Sequence, residues 1–275
     1  MNTVARAAAA PSAAPRAKRP ALPPPFPAVA VQLIQQMQLP ATSAAEVARL
    51  IELDPSLTAS LLRLVNSPFF GMRREIGSIS EAVIVMGMSA VRRIVMSLAV
   101  ATPLREQQAD PAFAKEQWRH YVTCAALARR LIVDDPAASD LAFTAGLLHD
   151  MGQLHLLQQH GAAYVALHAE AGGGDVRALE IERFGQPHDT LGADLLEAWG
   201  LPQAIADAAR HHHASLSRPG LTLVQQAVCA ASRLAGCPPD KTAQVMSHCP
   251  DTLGSPANAI EQARAEIETL NQLLK

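Results

Sequence analysis

Aromatic residues make up only 4% of this 275-residue chain, so its interior has to be filled by Ala, Leu, Val, Ile and Met. Those residues favour helices over strands. Strand patterning is missing as well: no segment alternates apolar and polar residues over a strand's length. No apolar run approaches the ~20 residues that span a bilayer, and Ala7 to Ala10 is too short and too weakly apolar for a signal-peptide core. Neither export nor membrane spanning is expected. The four cysteines, Cys124, Cys229, Cys237 and Cys249, lack C-x-x-C spacing and form no disulfide-like framework. That sparsity fits a reduced, cytoplasmic setting. Basic charge is scarce where it would matter for nucleic acid. The formal charge is −2, yet Arg6, Arg16, Lys18 and Arg19 sit in the first 45 residues without any acid, which leaves the remainder six units negative. Such a body is poorly suited to gripping a phosphate backbone, so no nucleic-acid partner is expected.

What the chain has in quantity is helical punctuation. Hydrophobic residues are 49% of the whole, enough for a sizeable core. Residues 1–25, with "AAAAPSAAPRAK" and "PALPPP", mix Ala with repeated Pro and sustain no apolar period, so a disordered tail is expected. From Phe26 onward, Pro27 opens a helix that must close before Pro40, and Ser43 with Glu46 makes a capping box ahead of Val47, Leu50 and Ile51. Asp54-Pro55 and Asp110-Pro111 each combine an N-cap with proline at the first helical position. Ser78 with Glu81 repeats the capping box after the loop "NSPFFGMRREIGS". Leu141 to Leu148 reads as a central apolar helix that Gly152 is placed to end. Further helices are expected up to Gly185, from Pro187 to Gly200, and from Pro202 to the "HHH" at 211–213. At the far end Ile260, Ala263, Ile267, Leu270 and Leu274 recur at three and four residues. Two heptads are too few for an independent coiled coil, so this segment is expected to dock on the body. The fold class is all-α, a helical bundle.

Ten histidines are present, and six polar residues among the expected helix ends and inner faces stand out: His120, His149, Asp150, His188, His212 and His213. Imidazole and carboxylate groups from separate helices are what Fe, Mn or Zn requires. Spacing alone does not establish that they converge. His149 and Asp150, as neighbours, point about 100° apart on a regular helix and reach one ion only where the helix distorts.

These same residues carry a family resemblance. "DPSLTASLLRLVNSPFFGMRREIGSISEAVIVMGMSAVRRIVMSLAV", then "WRHYVTCAALARRL", "GLLHDMGQL", "ERFGQPHDTLGADLLEAWGLPQAIADAARHHH" and "RLA", is similar to the HDOD proteins, the HD-related output domains of bacterial signalling. The resemblance covers about Phe26 to Gly236. It implies an HD-like fold in two packed helical halves, 26–104 and 110–236; beyond it, 237–275 is an extension that ends in the amphipathic helix read from its periodicity. It also implies kinship with HD-type phosphohydrolases, including those acting on cyclic dinucleotides, although most family members are regarded as lacking catalytic capacity. Carried over by position, His120 matches the first histidine ligand, His149-Asp150 the namesake pair, His188 the next ligand, and His212-His213 the doublet. His211 stands where a larger apolar or aromatic residue is usual. The departure is Ser232, in "ASRLA", where the metal enzymes close the site with aspartate. A hydroxyl is a neutral, weak ligand, whereas the absent carboxylate would offset cation charge. No "DGxGYP" segment follows His213.

The resulting expectation is a regulatory module that binds a signalling protein or a small ligand, with no required cofactor, no catalytic residues, weak affinity for Fe, Mn or Zn, and a buried hydrogen-bond network at the old site. The alternative is a metal-dependent phosphohydrolase of cyclic dinucleotides or nucleotides. Three side readings complete the set. Met86, Met88 and Met96 are expected in the core. Arg92-Arg93 are expected on a solvated face. The helices flanking Gly87 invite a helix-turn-helix comparison, but Val83 and Arg93 stand where Ala and an apolar residue are needed.

Overall fold

The caps expected from the sequence are where the helices begin. In the computed structural model, which describes residues 27–36, 43–106 and 110–274, Ser43 accepts from the Glu46 amide while the Glu46 carboxylate returns to the Ser43 amide. Asp54 and Asp110 each take two amides of the following turn, with proline at the first helical position. The Ser78 box is half-made: Ser78 receives the Glu81 amide, but the Glu81 carboxylate takes the amide of Gly77. The disordered tail expected over 1–25 lies outside the described residues.

Of the described residues 76% are helical, and none lies in a strand. The front half comprises α1 (Ala28–Gln36), α2 (Ala44–Glu52), α3 (Pro55–Val65), α4 (Ile79–Met86) and α5 (Met88–Arg105). Asn66 does more than stop α3. Its amide group donates to the carbonyls of Leu62 and Ile76 and accepts from the Ile76 amide, pinning both ends of the loop. The rear half contains α6 (Pro111–Leu131), α7 (Pro136–Leu148), α8 (Met151–His160), α9 (Ala162–Ala171), α10 (Arg177–Phe184), α11 (His188–Ala198), α12 (Gln203–His211) and α13 (Leu223–Gly236). Then come the short α14 (Thr242–Met246) and the terminal α15 (Pro256–Asn271). Helix α5 packs on α6 and α7 as well as on α1, α2, α3 and α4, so one continuous apolar core runs through both halves.

Helix α15 docks on α6, with Ala263 and Leu270 buried and Ile260 and Ile267 half-buried along the expected seam. Its Glu266 sits among Arg93, Arg129 and Arg130. This corrects the expected solvated face at Arg92-Arg93. Arg93 is 15% exposed, pairs with Glu266 at 2.9 Å and Asp140 at 3.2 Å, and lies over the Phe143 ring. Arg92 is half-buried too. Met96 is in the core, whereas Met86 and Met88 are only partly covered.

Gly152 is the second correction. It does not end the α7 helix, which stops at Leu148; it lies inside α8. A Cβ there would come within 2.0 Å of the His188 carbonyl and 2.8 Å of the Gly192 amide. Gly152 is therefore the place where α8 and α11 touch backbone to backbone. Gly146 plays the same part between α7 and α6, where a Cβ would lie 3.0 Å from the Ala125 α-carbon. These two contacts draw α6, α7, α8 and α11 together around one point.

Candidate metal centre

That point is the break between α7 and α8. His149 is the last residue in helical conformation, and Asp150, at φ −106° and ψ 23°, leaves the helix. The distortion needed for adjacent residues to face one centre is thus present. His120 comes from α6, His188 opens α11, and His212 and His213 follow the end of α12. All six residues identified in the sequence converge, in two groups that meet at Asp150.

On one side, Asp150 Oδ2 lies 3.0 Å from His149 Nε2 and 3.5 Å from His120 Nε2, and those two nitrogens are 3.2 Å apart. On the other, Asp150 Oδ1 lies 3.2 Å from His212 Nε2 and 3.4 Å from His188 Nε2. His188 Nε2 is in turn 2.9 Å from His213 Nε2 and 3.4 Å from His212 Nε2. Donor atoms sharing one zinc at about 2.1 Å stand about 3.0–3.4 Å from each other. The observed spacings are close to that range.

The outer nitrogens explain the orientation. His149 Nδ1–H donates to the Gly146 carbonyl at 2.7 Å, and His212 Nδ1–H donates to that of Ala209 at 2.6 Å. His188 Nδ1–H donates to Glu180 Oε2 at 2.7 Å, and the His188 amide donates to the same oxygen at 2.8 Å. Tyr164 donates to the other Glu180 oxygen at 2.7 Å. With Nδ1 carrying the proton, each neutral ring turns the Nε2 lone pair inward, the tautomer a metal ligand needs. Glu180 was not identified from the sequence. In "ALEIERF" hydropathy buries Ile181 and exposes Glu180, yet Glu180 is fully buried and Ile181 is 53% exposed. No local pattern signals a carboxylate whose reason for burial is a histidine on the next helix.

Burial and mutual repulsion keep three rings uncharged. His120 is pushed down to about 4 by burial and by His149, and His213 to about 2 by burial together with His212 and His188. Burial lowers His212 as well, with Asp150 opposing. At His149, burial disfavours the charge but Asp150 outweighs it, and the pKa rises. At His188, burial is likewise overcome, by Glu180 and Asp150. Asp150 itself is held well below the carboxylate range, because His149 and His212 outweigh its burial. Positive charge is therefore drawn to this centre. The expected buried hydrogen-bond network closes only when protons supply that charge, and Asp150 Oδ1 has no hydrogen-bond partner. Imidazole and carboxylate lone pairs converging on two adjacent points fit a divalent cation such as Zn, Fe or Mn. His211 takes no part: its Nδ1 turns back to the Asp207 carbonyl.

The sequence pattern of the HDOD domain matches residues 23–215, well over half of the chain and all six converging residues. The chain belongs to the HDOD family. Ser232, half-buried on α13, lies beyond the matched span, one turn before Gly236, where a Cβ would lie 3.8 Å from His120 Cε1. The HDOD fold here is similar to that of an HDOD domain protein of Geobacter sulfurreducens, at TM-score 0.69 and 21% identity, covering 91% of this chain and 92% of that one. A candidate phosphohydrolase from Shewanella amazonensis gives TM-score 0.68 at 22% identity over 91% and 94%. A candidate signal transduction protein from Marinobacter aquaeolei gives 0.70 at 21% over 91% and 58%. These likenesses concern the fold. Among curated proteins, an uncharacterised protein of Treponema pallidum is 25% identical over 203 residues, 69% of this chain. The chain spans 37% of that relative's length. No described helix is long and apolar enough to cross a membrane.

Proposed function

We propose that this HDOD protein is a signalling module that holds a divalent ion for structure and regulation, and passes its state to a protein partner or small ligand without hydrolysing a phosphoester. The observation that carries this reading is the asymmetry about Asp150. One oxygen lies beside His188 and His212, with His213 Nε2 2.9 Å from His188 Nε2; the other lies beside His120 and His149, and this reading assigns Ser232, one turn before the Gly236 that approaches His120, to that second side in place of the closing carboxylate. Four donors satisfy one ion. Two-metal hydrolysis needs a second, comparably held ion, and here that side has lost an anionic ligand. The donor set is nonetheless fuller than the missing carboxylate alone suggests, so stoichiometric metal is favoured over the weak affinity expected from the sequence. A bound ion would supply fixed positive charge between α8, α11 and α12, replacing the protons that His149 and His188 otherwise attract. No nucleic acid, membrane or export step enters this proposal, and the setting is the cytoplasm.

Zinc titration of chelator-stripped protein tests it. The expected result is about one ion per chain, lost in His188→Ala and bound at least about tenfold more weakly in Glu180→Gln, which keeps the shape but not the charge behind His188. No turnover of cyclic di-GMP or bis-p-nitrophenyl phosphate is expected with Mn, Fe or Mg. A second ion per chain, with turnover that vanishes in His149→Ala, would establish the phosphohydrolase instead. Absence of any specific zinc would overturn the metal reading.

A further inference from the structure

Away from the metal centre, a cavity of about 240 Å³ lies in the seam between the two halves, walled by α3 and α5 on one side and by α8 and the end of α11 on the other. None of the six converging residues lines it. Leu57, Met151, Leu154 and Trp199 make most of its wall apolar. One side chain in that wall has no account in the fold. His155 is only 4% exposed, and neither of its ring nitrogens has a hydrogen-bond partner. Burying two such nitrogens unsatisfied costs free energy that an apolar residue would spare. The opposite wall has a related feature. Pro103 lies inside α5 and withholds the N–H that the Ala99 carbonyl takes in a regular helix, and both residues line the cavity. Two carboxylates, Asp54 and Glu106, border the same space.

We propose that this cavity is a binding site for a compact ligand with an apolar body and a hydrogen-bond-donating head that is uncharged or cationic, seated against His155. The volume falls below the ~300–1,000 Å³ of sites for drug-sized molecules, which excludes a dinucleotide. Asp54 and Glu106 disfavour an anion, and the apolar wall accepts a ring or short aliphatic body. Neutral His155, kept so by its burial, accepts from the head through the lone pair of its unprotonated ring nitrogen. The site makes the seam between the halves the place where a small molecule is sensed. It rests on its own residues and stands whether or not the metal reading does.

Three probes with one body and different heads test the proposal: 2-phenylethanol, 2-phenylethylamine and phenylacetate, titrated into the full chain, with and without chelator, and followed by the indole signal of Trp199 in two-dimensional NMR. The first two should saturate in the millimolar range expected of fragments, and phenylacetate should bind at least about tenfold more weakly. His155→Leu should weaken 2-phenylethanol about tenfold, a lost hydrogen bond, while the melting temperature holds or rises because two orphaned nitrogens are gone. Ala99→Leu should block all three probes by filling the space. Saturable binding that is unchanged in both variants would overturn the proposal, as would no saturation by any probe or tightest binding by phenylacetate. A fall in melting temperature for His155→Leu with probe affinity intact would assign His155 a purely structural role.

Discussion

Two charge clusters in this molecule, one half-buried and one buried, are built from equally scattered segments and behave oppositely. Arg93, Arg129 and Arg130 meet Asp140 and Glu266, and Ser89 adds a hydroxyl to Asp140 at 2.6 Å. Guanidinium stays charged at any ordinary pH, so that cluster sets three permanent cations against two carboxylates, and its positive charge does not exchange with the medium. The His/Asp centre brings one dominant anion and five imidazoles, whose positive charge is exchangeable. A cluster of the first kind anchors α15 to the bundle. One of the second kind is open to replacing protons by metal, because metal binding and ligand protonation compete for the same lone pairs.

The comparison breaks most visibly at Gly152→Ala. The new methyl meets backbone on α11 at 2.0 Å, where no side chain can yield, and the helices must part. The expected loss is about 3 kcal/mol in urea unfolding, at the upper end for overpacking, together with loss of zinc uptake and little change at the Arg93 cluster. Glu266→Gln probes the other side. It leaves three guanidinium groups with one carboxylate fewer in a partly buried setting, costing about 2 kcal/mol after allowance for solvent around Arg130. Zinc stoichiometry should stay unchanged. Equal loss of zinc in both variants would show the clusters to be coupled rather than independent.

The smallest effect concerns the thiols, which sharpen the contrast between burial that raises and burial that is offset. Burial pushes the Cys229 thiol up to about 11, outweighing the opposing charge of Arg233. A raised thiol pKa keeps the unreactive protonated form at pH 8, and the thiolate grows only as pH approaches that value. Iodoacetamide should therefore label half-exposed Cys237 well before Cys229, with Cys229 labelling rising steeply between pH 8 and 10. Comparable rates at pH 8, read by peptide mass spectrometry, would contradict the burial argument.

Local chemistry made much of the fold legible. Asp54-Pro55, Asp110-Pro111 and Ser43-Glu46 mark helix starts because a cap acts within three residues of itself. The six converging residues were legible from the order of their motifs, whereas Glu180 was not, since its partner lies on another helix and its own helix has an exposed outer face. Arg93 misled for a similar reason: charge in a helix reads as solvated until a distant Glu266 is seen to cover it.

What the sequence determined by itself was the helical class, the points where helices begin, and the presence of ligand-type side chains, because propensity and capping are short-range. Only the tertiary structure decided that Gly152 is a contact rather than a stop, that every inward nitrogen is an Nε2, and that His155 faces a cavity with no partner. Each of those depends on the distance between backbones far apart in the chain, which helical periodicity does not encode.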